Sequence, residues 1–426
     1  MVKPDRREKT LGSRFFARLT SIHMTNKPPQ VRSRLDPLLV LWGICAAWAT
    51  VTSGFRILLQ MYAQVGLGID THIHNRDFVN YWVGSQLALS GNSSTVFVHP
   101  LYFAHMQSLF GADFPLHSWS YPPHYLMLVS PLALLPYGPS MAAFLVVSFA
   151  LFAWSALAFV REFAPEMHRG HLLLGVTGFA LVMAETTQNG FLTSAGVLCV
   201  LANMRRRPML AGFALALLTM KPQLGFLIPL LALLDRNWVL LRWATIFTAL
   251  LVGASVLLYG IDAWQAFFTH VIPYQDFVMK HWIGPFLELM PGTYGSLRSL
   301  EISVATAIVV QSVVSVLALA SLWPLLRVVR DPLERAFAIL AITFVAMPYS
   351  FHYDMGALTV AAACLALRAR AAGQRGATLA FGLIAVLPGI VPLLGARHVP
   401  LSPLILIAGL VALYLIARRR PLIVLS

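Results

Sequence analysis

Five polar motifs interrupt a very apolar chain, and their residue types are those of proton transfer and phosphate chemistry. The first, NRDFVNYWVGSQLALSG, covers residues 75–91. Written as a helix, it sets Asp77, Tyr81, Gly84 and Ala88 on one face by i, i+3 and i+4 spacing, and Phe78, Trp82 and Leu89 on another. The bulky face suits a lipid interface. The small face lets a backbone or a ligand approach Asp77. Taken alone, Asp77 would also serve as a helix N-cap. The second motif, SYPPH at 120–124, opens a short segment with a rigid proline pair. The third, ETTQNG at 185–190, puts a carboxylate and amides in an apolar stretch, which is costly unless they are partnered or hydrated. The fourth, MKPQ at 220–223, places Lys221 between two short apolar segments, where it either snorkels to an interface or holds an anion. The fifth, YSFHYD at 349–354, adds His352 and Asp354.

A carboxylate can take a proton from a hydroxyl, and cations can stabilise a leaving phosphate. With a lipid-facing groove for a long-chain donor, the set fits glycosyl transfer from a polyprenyl-phosphate sugar to a hydroxyl acceptor. Inverting transfer needs one general base, because the acceptor attacks opposite the leaving group. Lys and His can stand in for a metal, so neither metal nor cofactor is expected. His72, His74, His99, His105 and His117 share one loop, but no tight set of three or four ligands stands out among them.

The elements that must position these motifs are membrane helices. The chain is 58% hydrophobic and 11% charged, against about a quarter charged in a soluble domain. Apolar runs of membrane length recur from residue 37 onward, predicting an all-α polytopic membrane protein. Candidate spans are 37–60, 122–137, 138–160, 171–187, 190–204, 208–220, 222–235, 239–260, 302–327, 334–349, 353–368, 377–394 and 400–417. The segment 122–137, bounded by prolines, is expected to be a partial or re-entrant helix, which also restores parity. Residues 1–36 read as a basic cytoplasmic tail and 37–426 as one integral domain, with outer regions 61–121 and 261–301. Arg6-Arg7 superficially matches a twin-arginine signal, but the apolar run starts some thirty residues later without a cleavage site. Cys45, Cys199 and Cys364 sit inside apolar runs as small core residues.

Charge placement orients the bundle. Of the 31 Lys and Arg, 25 fall in the tail or in loops that alternate along the chain, and the rest are Arg56, Arg76, Lys221, Lys280, Arg298 and Arg397. The positive-inside rule puts the first group in the cytoplasm and the five motifs at the outer face. The net charge of +14 is thereby a topology signal, not a nucleic-acid surface.

The order of motifs resembles the family 87 glycosyltransferases, a group that includes polyprenol-phosphate-mannose-dependent mannosyltransferases of bacterial glycolipid synthesis. The shared pattern is Asp77-Phe78, Tyr81-Trp82, Gly84 and Ser90-Gly91. It continues with Tyr121-Pro122-Pro123 to Leu135-Pro136, then Gln188-Asn189 and Arg205-Arg206-Arg207-Pro208, then Ala211-Gly212 to Lys221-Pro222. The resemblance covers about residues 70–240. Thr187 stands where the family usually has Gly, and 261–301 matches no family pattern; that region is assigned to acceptor choice. The resemblance implies a GT-C fold of 12–13 membrane segments with outer-face amphipathic helices, in a bacterial inner membrane, its active site facing the periplasm or exterior. It implies a polyprenyl-phosphate hexose donor, mannose above all, a glycolipid or glycan acceptor, and no nucleotide sugar. By it Asp77 is the base. Lys221 and His352 bind the donor phosphate, with Arg76 and Arg298 as further candidates. Tyr81, Gln188 and Asn189 line the sugar pocket, and Tyr121 is a further substrate-binding residue. A secondary transporter is the rival from another class, but it would favour internal repeats and midplane sites. A lipid-linked polysaccharide ligase or polymerase would share the anatomy.

Overall fold

The computed structural model describes residues 36–67 and 77–419. Arg76, His72 and His74 lie outside the described residues. Among those described there is no strand, because a backbone in lipid must satisfy its own amides and carbonyls and a helix does so within one segment.

Helix α1 (Pro37–Leu67) starts behind Asp36, whose carboxylate accepts the Leu38 amide at 2.9 Å. Two outer helices follow, α2 (Phe78–Leu89) and α3 (His99–Phe110). A short α4 (His124–Val129) runs into a 3-10 turn, Ser130–Leu134, and stops. Then come α5 (Tyr137–Phe163), α6 (Arg169–Thr186), α7 (Gly190–Asn203), α8 (Pro208–Leu217), α9 (Pro222–Gly225) and α10 (Leu227–Leu234). Helix α11 (Trp238–Ala266) passes through a kink at Gly260 (φ 79°) and a π-helical turn, Phe267–Val271, into α12 (Ile272–His281). The chain closes with α13 (Pro285–Glu288), α14 (Thr293–Ser299), α15 (Val304–Val328), α16 (Pro332–Ala346), α17 (Gly356–Ala371), α18 (Arg375–Ala396) and α19 (Ser402–Arg419).

Six helical stretches among the described residues are long and apolar enough to cross a membrane: the start of α1, α5, α11 with α12, α15, α18 and α19. The chain is a polytopic all-α membrane protein. Helices α16 and α17, with 15 and 16 residues, fall short of the roughly 20 needed to span unaided. They are buried along nearly their whole length in the main core, so they meet protein where a longer helix would meet lipid. Helix α4 and its 3-10 turn together cover only His124–Leu134, too short to cross a membrane unaided.

The bundle has two distinct ends. At one, ion pairs join turns far apart in sequence: Arg206 to Glu162, Arg335 to Asp235, Arg368 to Asp331, and Arg370 to Asp36. At the other end Glu185 meets Arg56, Asp77 meets Gln188, and Lys221 meets Asp354. Apart from α4 and the outer segments α2–α3 and α12–α14, each helix or broken helix runs from one end to the other. Asp36 and Arg370 therefore share the basic end, which resolves the parity of the candidate spans.

Helix α2 differs from expectation. Its bulky face does not lie in lipid: Phe78 is fully buried against Tyr137 and Phe144, and Trp82 is half-buried and donates to the Leu135 carbonyl at 3.1 Å. The start of α5 folds over that face, which a helical wheel cannot foresee. On the small face Gly84 receives the Trp119 ring.

His99, on α3, is buried and stacks on Tyr274 of α12 with centroids 3.8 Å apart, tying the outer segments together. Burial lowers its pKa to about 4, against a weaker upward pull from a backbone bond to Trp119. The unfolded chain protonates this ring near pH 6.5, the fold only near 4. Its contribution is therefore complete above about pH 6.5 and is lost as pH falls toward about 4. His99→Phe keeps a stacking ring without the proton. Its melting temperature in detergent should fall less between about pH 7 and pH 5 than that of the parent; parallel curves would show that His99 is not the group responsible.

Candidate functional site

The polar motifs sit where helices break. Between α6 and α7 the chain turns through Thr187 in the left-handed region (φ 50°), which throws Gln188 and Asn189 inward. Gly190 follows against the loop before α17. A side chain there would bring its first carbon to 1.8 Å from the Tyr353 carbonyl oxygen, so only glycine lets these two breaks touch. Between α8 and α9 a 3-10 turn, Leu218–Met220, delivers Lys221. The loop after α16 delivers Tyr349–Asp354.

Asp77 occupies the N-cap position of α2, but its side chain caps no amide of that helix. Its Oδ2 instead accepts from Gln188 Nε2. Gln188 Oε1 accepts from the Tyr81 hydroxyl at 2.7 Å. That bond uses the Tyr81 proton, so Tyr121 must donate to Tyr81 across their 3.0 Å contact. The relay Tyr121–Tyr81–Gln188–Asp77 fixes the orientation of the amide and presents its N–H to the carboxylate. Asn189 Nδ2 reaches the Tyr125 hydroxyl at 3.4 Å beside it.

Lys221 Nζ donates to Asp354 Oδ1 at 2.7 Å, with side chains 9% and 1% exposed. The ammonium also lies 5.0 Å from the Tyr353 ring centroid and 5.9 Å from that of Tyr121. Aromatic faces attract a cation and partly replace its lost hydration. Asp354 takes one of three ammonium protons, which leaves Lys221 able to hold a second anion.

These groups share a cavity of about 1070 Å³. Asp77, Tyr81, Tyr121, Gln188, Lys221 and Asp354 line its inner part. Thr248 and Val252 of α11 face Ile308 and Ser312 of α15 across one side. Protein buries only 6% of the apolar window of α11–α12 and 17% of that of α15, so the two helices that line this part of the cavity are themselves largely uncovered by protein. Trp264 of α11, Phe267 and Val271 of the π-helical turn, and Gln275 and Met279 of α12 form a roof, and Gln275 donates to Ser120 at 2.8 Å across it.

Not every expected residue arrives. His352 is buried outside the lining, with its backbone amide and Nδ1 both on the Leu289 carbonyl at 3.0 and 3.2 Å. Arg298 also lies outside the lining and donates to the Ile302 carbonyl at 2.9 Å. Asn189 is fully buried behind the wall. Sequence reasoning named Asp354 without pairing it to Lys221. The signal was available, because a lysine at a break between apolar segments needs a counter-charge and few carboxylates occur in the outer motifs. The roof residues carried no such signal. No group of three or more metal-ligating side chains occurs among the described residues.

Removing one partner of a buried pair strands the other charge, at about 3–5 kcal/mol. Lys221→Met and Asp354→Leu should each lower thermal stability steeply, while the double variant regains most of it because an apolar pair can fill the site. A double variant as unstable as the sum of the singles would show that the two side chains do not act as a pair.

The model of glycosyltransferase family 87 matches residues 119–348, a stretch that holds Tyr121, the Gln188–Asn189 break and Lys221. No curated protein and no solved structure matches the chain. With more than half of its 426 residues inside the match, and its helix breaks gathered on one cavity, the chain belongs to glycosyltransferase family 87.

Proposed function

We propose that the chain transfers a hexose, mannose by its family resemblance, from a polyprenyl-phosphate sugar to a hydroxyl of a lipid or glycan acceptor, with inversion. The observation that carries this reading is the joint placement of Asp77 and the Lys221–Asp354 pair on one cavity that is also lined by α11 and α15, two long apolar helices largely uncovered by protein. Such helices beside the cavity suit a prenyl chain, which a soluble sugar nucleotide lacks. The positive-inside rule supports a cytoplasmic basic end, and the family resemblance a bacterial inner membrane, which together favour a cavity at the periplasmic or outer face.

In this scheme the acceptor hydroxyl gives its proton to Asp77 as its oxygen bonds to the anomeric carbon. Gln188 occupies Oδ2, so Oδ1 is the oxygen that takes the proton. The bond from the anomeric carbon to the phosphate oxygen breaks on the opposite side, and the phosphate leaves with one more negative charge. The free ammonium protons of Lys221 meet that charge, and Asp354 holds the ammonium in place. Charge stabilised by a preorganised donor in a dry site is worth more than in water. Tyr81 and Tyr121 border the sugar, and the roof from residues 264 to 286 contacts the acceptor.

Asp77→Asn keeps the shape and the Gln188 neighbour but loses basicity. Transfer of radiolabelled sugar from polyprenyl phosphate, assayed in membranes, should fall about 10²–10⁴-fold with the protein still inserted. Turnover near the parent value would remove Asp77 as the base. In the Lys221→Met/Asp354→Leu double variant the donor KM should rise more than the acceptor KM; the reverse would move the phosphate elsewhere.

A further inference from the structure

His124 opens α4 and lines the same cavity, yet no step above uses it. It is 6% exposed. Its Nε2 lies 3.1 Å from the Thr219 hydroxyl oxygen. Thr219 has a single hydroxyl proton and gives it to the Ala216 carbonyl at 2.5 Å. The Thr219 oxygen can therefore only accept from His124, and Nε2 must carry the ring proton. In the neutral ring Nδ1 is then a bare acceptor. Nδ1 is buried and meets no hydrogen-bond partner among the described residues. A buried acceptor left unpaired costs as much as a lost hydrogen bond, and such a group calls for a partner.

The ring is held in place from a second direction. Trp264 lies nearly parallel to it, at 19° with centroids 5.9 Å apart. Trp264 is itself fixed, because its Nε1 donates to Ser255 Oγ at 3.0 Å. Trp264 also lines the cavity. A pyranose presents an apolar face of C–H groups rimmed by hydroxyls. An indole face beside a bare imidazole acceptor complements that surface, the ring meeting the C–H face and the nitrogen one rim hydroxyl.

We infer that a sugar entering the cavity displaces the cover now over His124 Nδ1 and donates one hydroxyl hydrogen bond to it, which makes His124 a specificity-determining residue. This rests on the cavity being the site of transfer. The hydroxyl belongs either to the sugar of the donor or to a sugar of the acceptor, and both present the same chemistry to Nδ1.

Two variants separate the ring nitrogens. In His124→Gln the amide nitrogen reaches the Nε2 position and keeps the Thr219 bond, but the Nδ1 acceptor is gone. In His124→Asn the amide oxygen takes the Nδ1 position and the Thr219 bond is lost. The probes are citronellyl phosphomannose with its monodeoxy analogues, and octyl α-mannoside with its monodeoxy analogues. Each series is read twice, as transfer and as equilibrium binding by quenching of tryptophan fluorescence. One hydroxyl, in one series, should matter to the parent by about tenfold. The same deletion should cost His124→Gln less than about twofold, and His124→Asn should retain the dependence. The series in which this occurs tells donor from acceptor. If no hydroxyl in either series is felt by the parent and ignored by His124→Gln, the assignment of Nδ1 is wrong. The transfer reading fails separately, on Asp77→Asn, which alters turnover with every sugar alike.

Discussion

Backbone that stops being helical at membrane depth leaves amides and carbonyls that lipid cannot satisfy. That constraint organises this protein. Its helices break at 187–189, at 218–221 and at 347–355, and each break needs protein around it. The cheapest cover for one break is another. Gly190 lies against the Tyr353 carbonyl, and the 3-10 turn before Lys221 brings that lysine to Asp354. Polar side chains at the breaks meet for the same reason, so the cavity follows from the solution to a backbone problem.

Charge within the cavity follows a similar logic. A buried ammonium without a partner is untenable, and a buried carboxylate equally so. Lys221 and Asp354 settle each other, with the rings of Tyr353 and Tyr121 close to the ammonium. Asp77 is treated differently. It receives a neutral amide from Gln188 and no lysine or arginine among the described residues, so its charge is oriented but not cancelled by a fixed ion pair. The two aspartates therefore differ in burial, Asp354 being buried and Asp77 half-buried, and in partner, a cation for one and a neutral amide for the other.

How much of this was legible in the sequence depended on range. Apolar runs of membrane length reveal the polytopic all-α class, and the proline boundaries of 122–137 enclose a segment whose helical part is short, His124–Leu134. The cost of placing Glu185–Asn189 and Lys221 in apolar surroundings flagged both as belonging to a polar hollow. What failed needed a partner far away in the chain. Asp77 has the type and position of an N-cap, and only Gln188, 111 residues on, draws it elsewhere. Lys221 finds Asp354 at a separation of 133 residues. His352, two residues from Asp354, was the more attractive phosphate ligand by type, but the Leu289 carbonyl turns it into the wall. Helix α2 shows apolar residues on a face that reads equally well as lipid contact or protein core, because both surroundings are apolar.

The roof has its own cause in the topology. Helices α11 and α15 are consecutive long apolar helices, and with a short connection they would form a hairpin packed along its length. Here α12, α13 and α14 intervene, and residues of all three line the cavity. Helix α11 packs on α8, and α15 on α16. Gln275 reaches Ser120 from the long connection, and Tyr274 stacks on His99, which fastens the roof to the segment between α2 and α4. The connection is thereby held over the polar breaks by contacts with that outer segment.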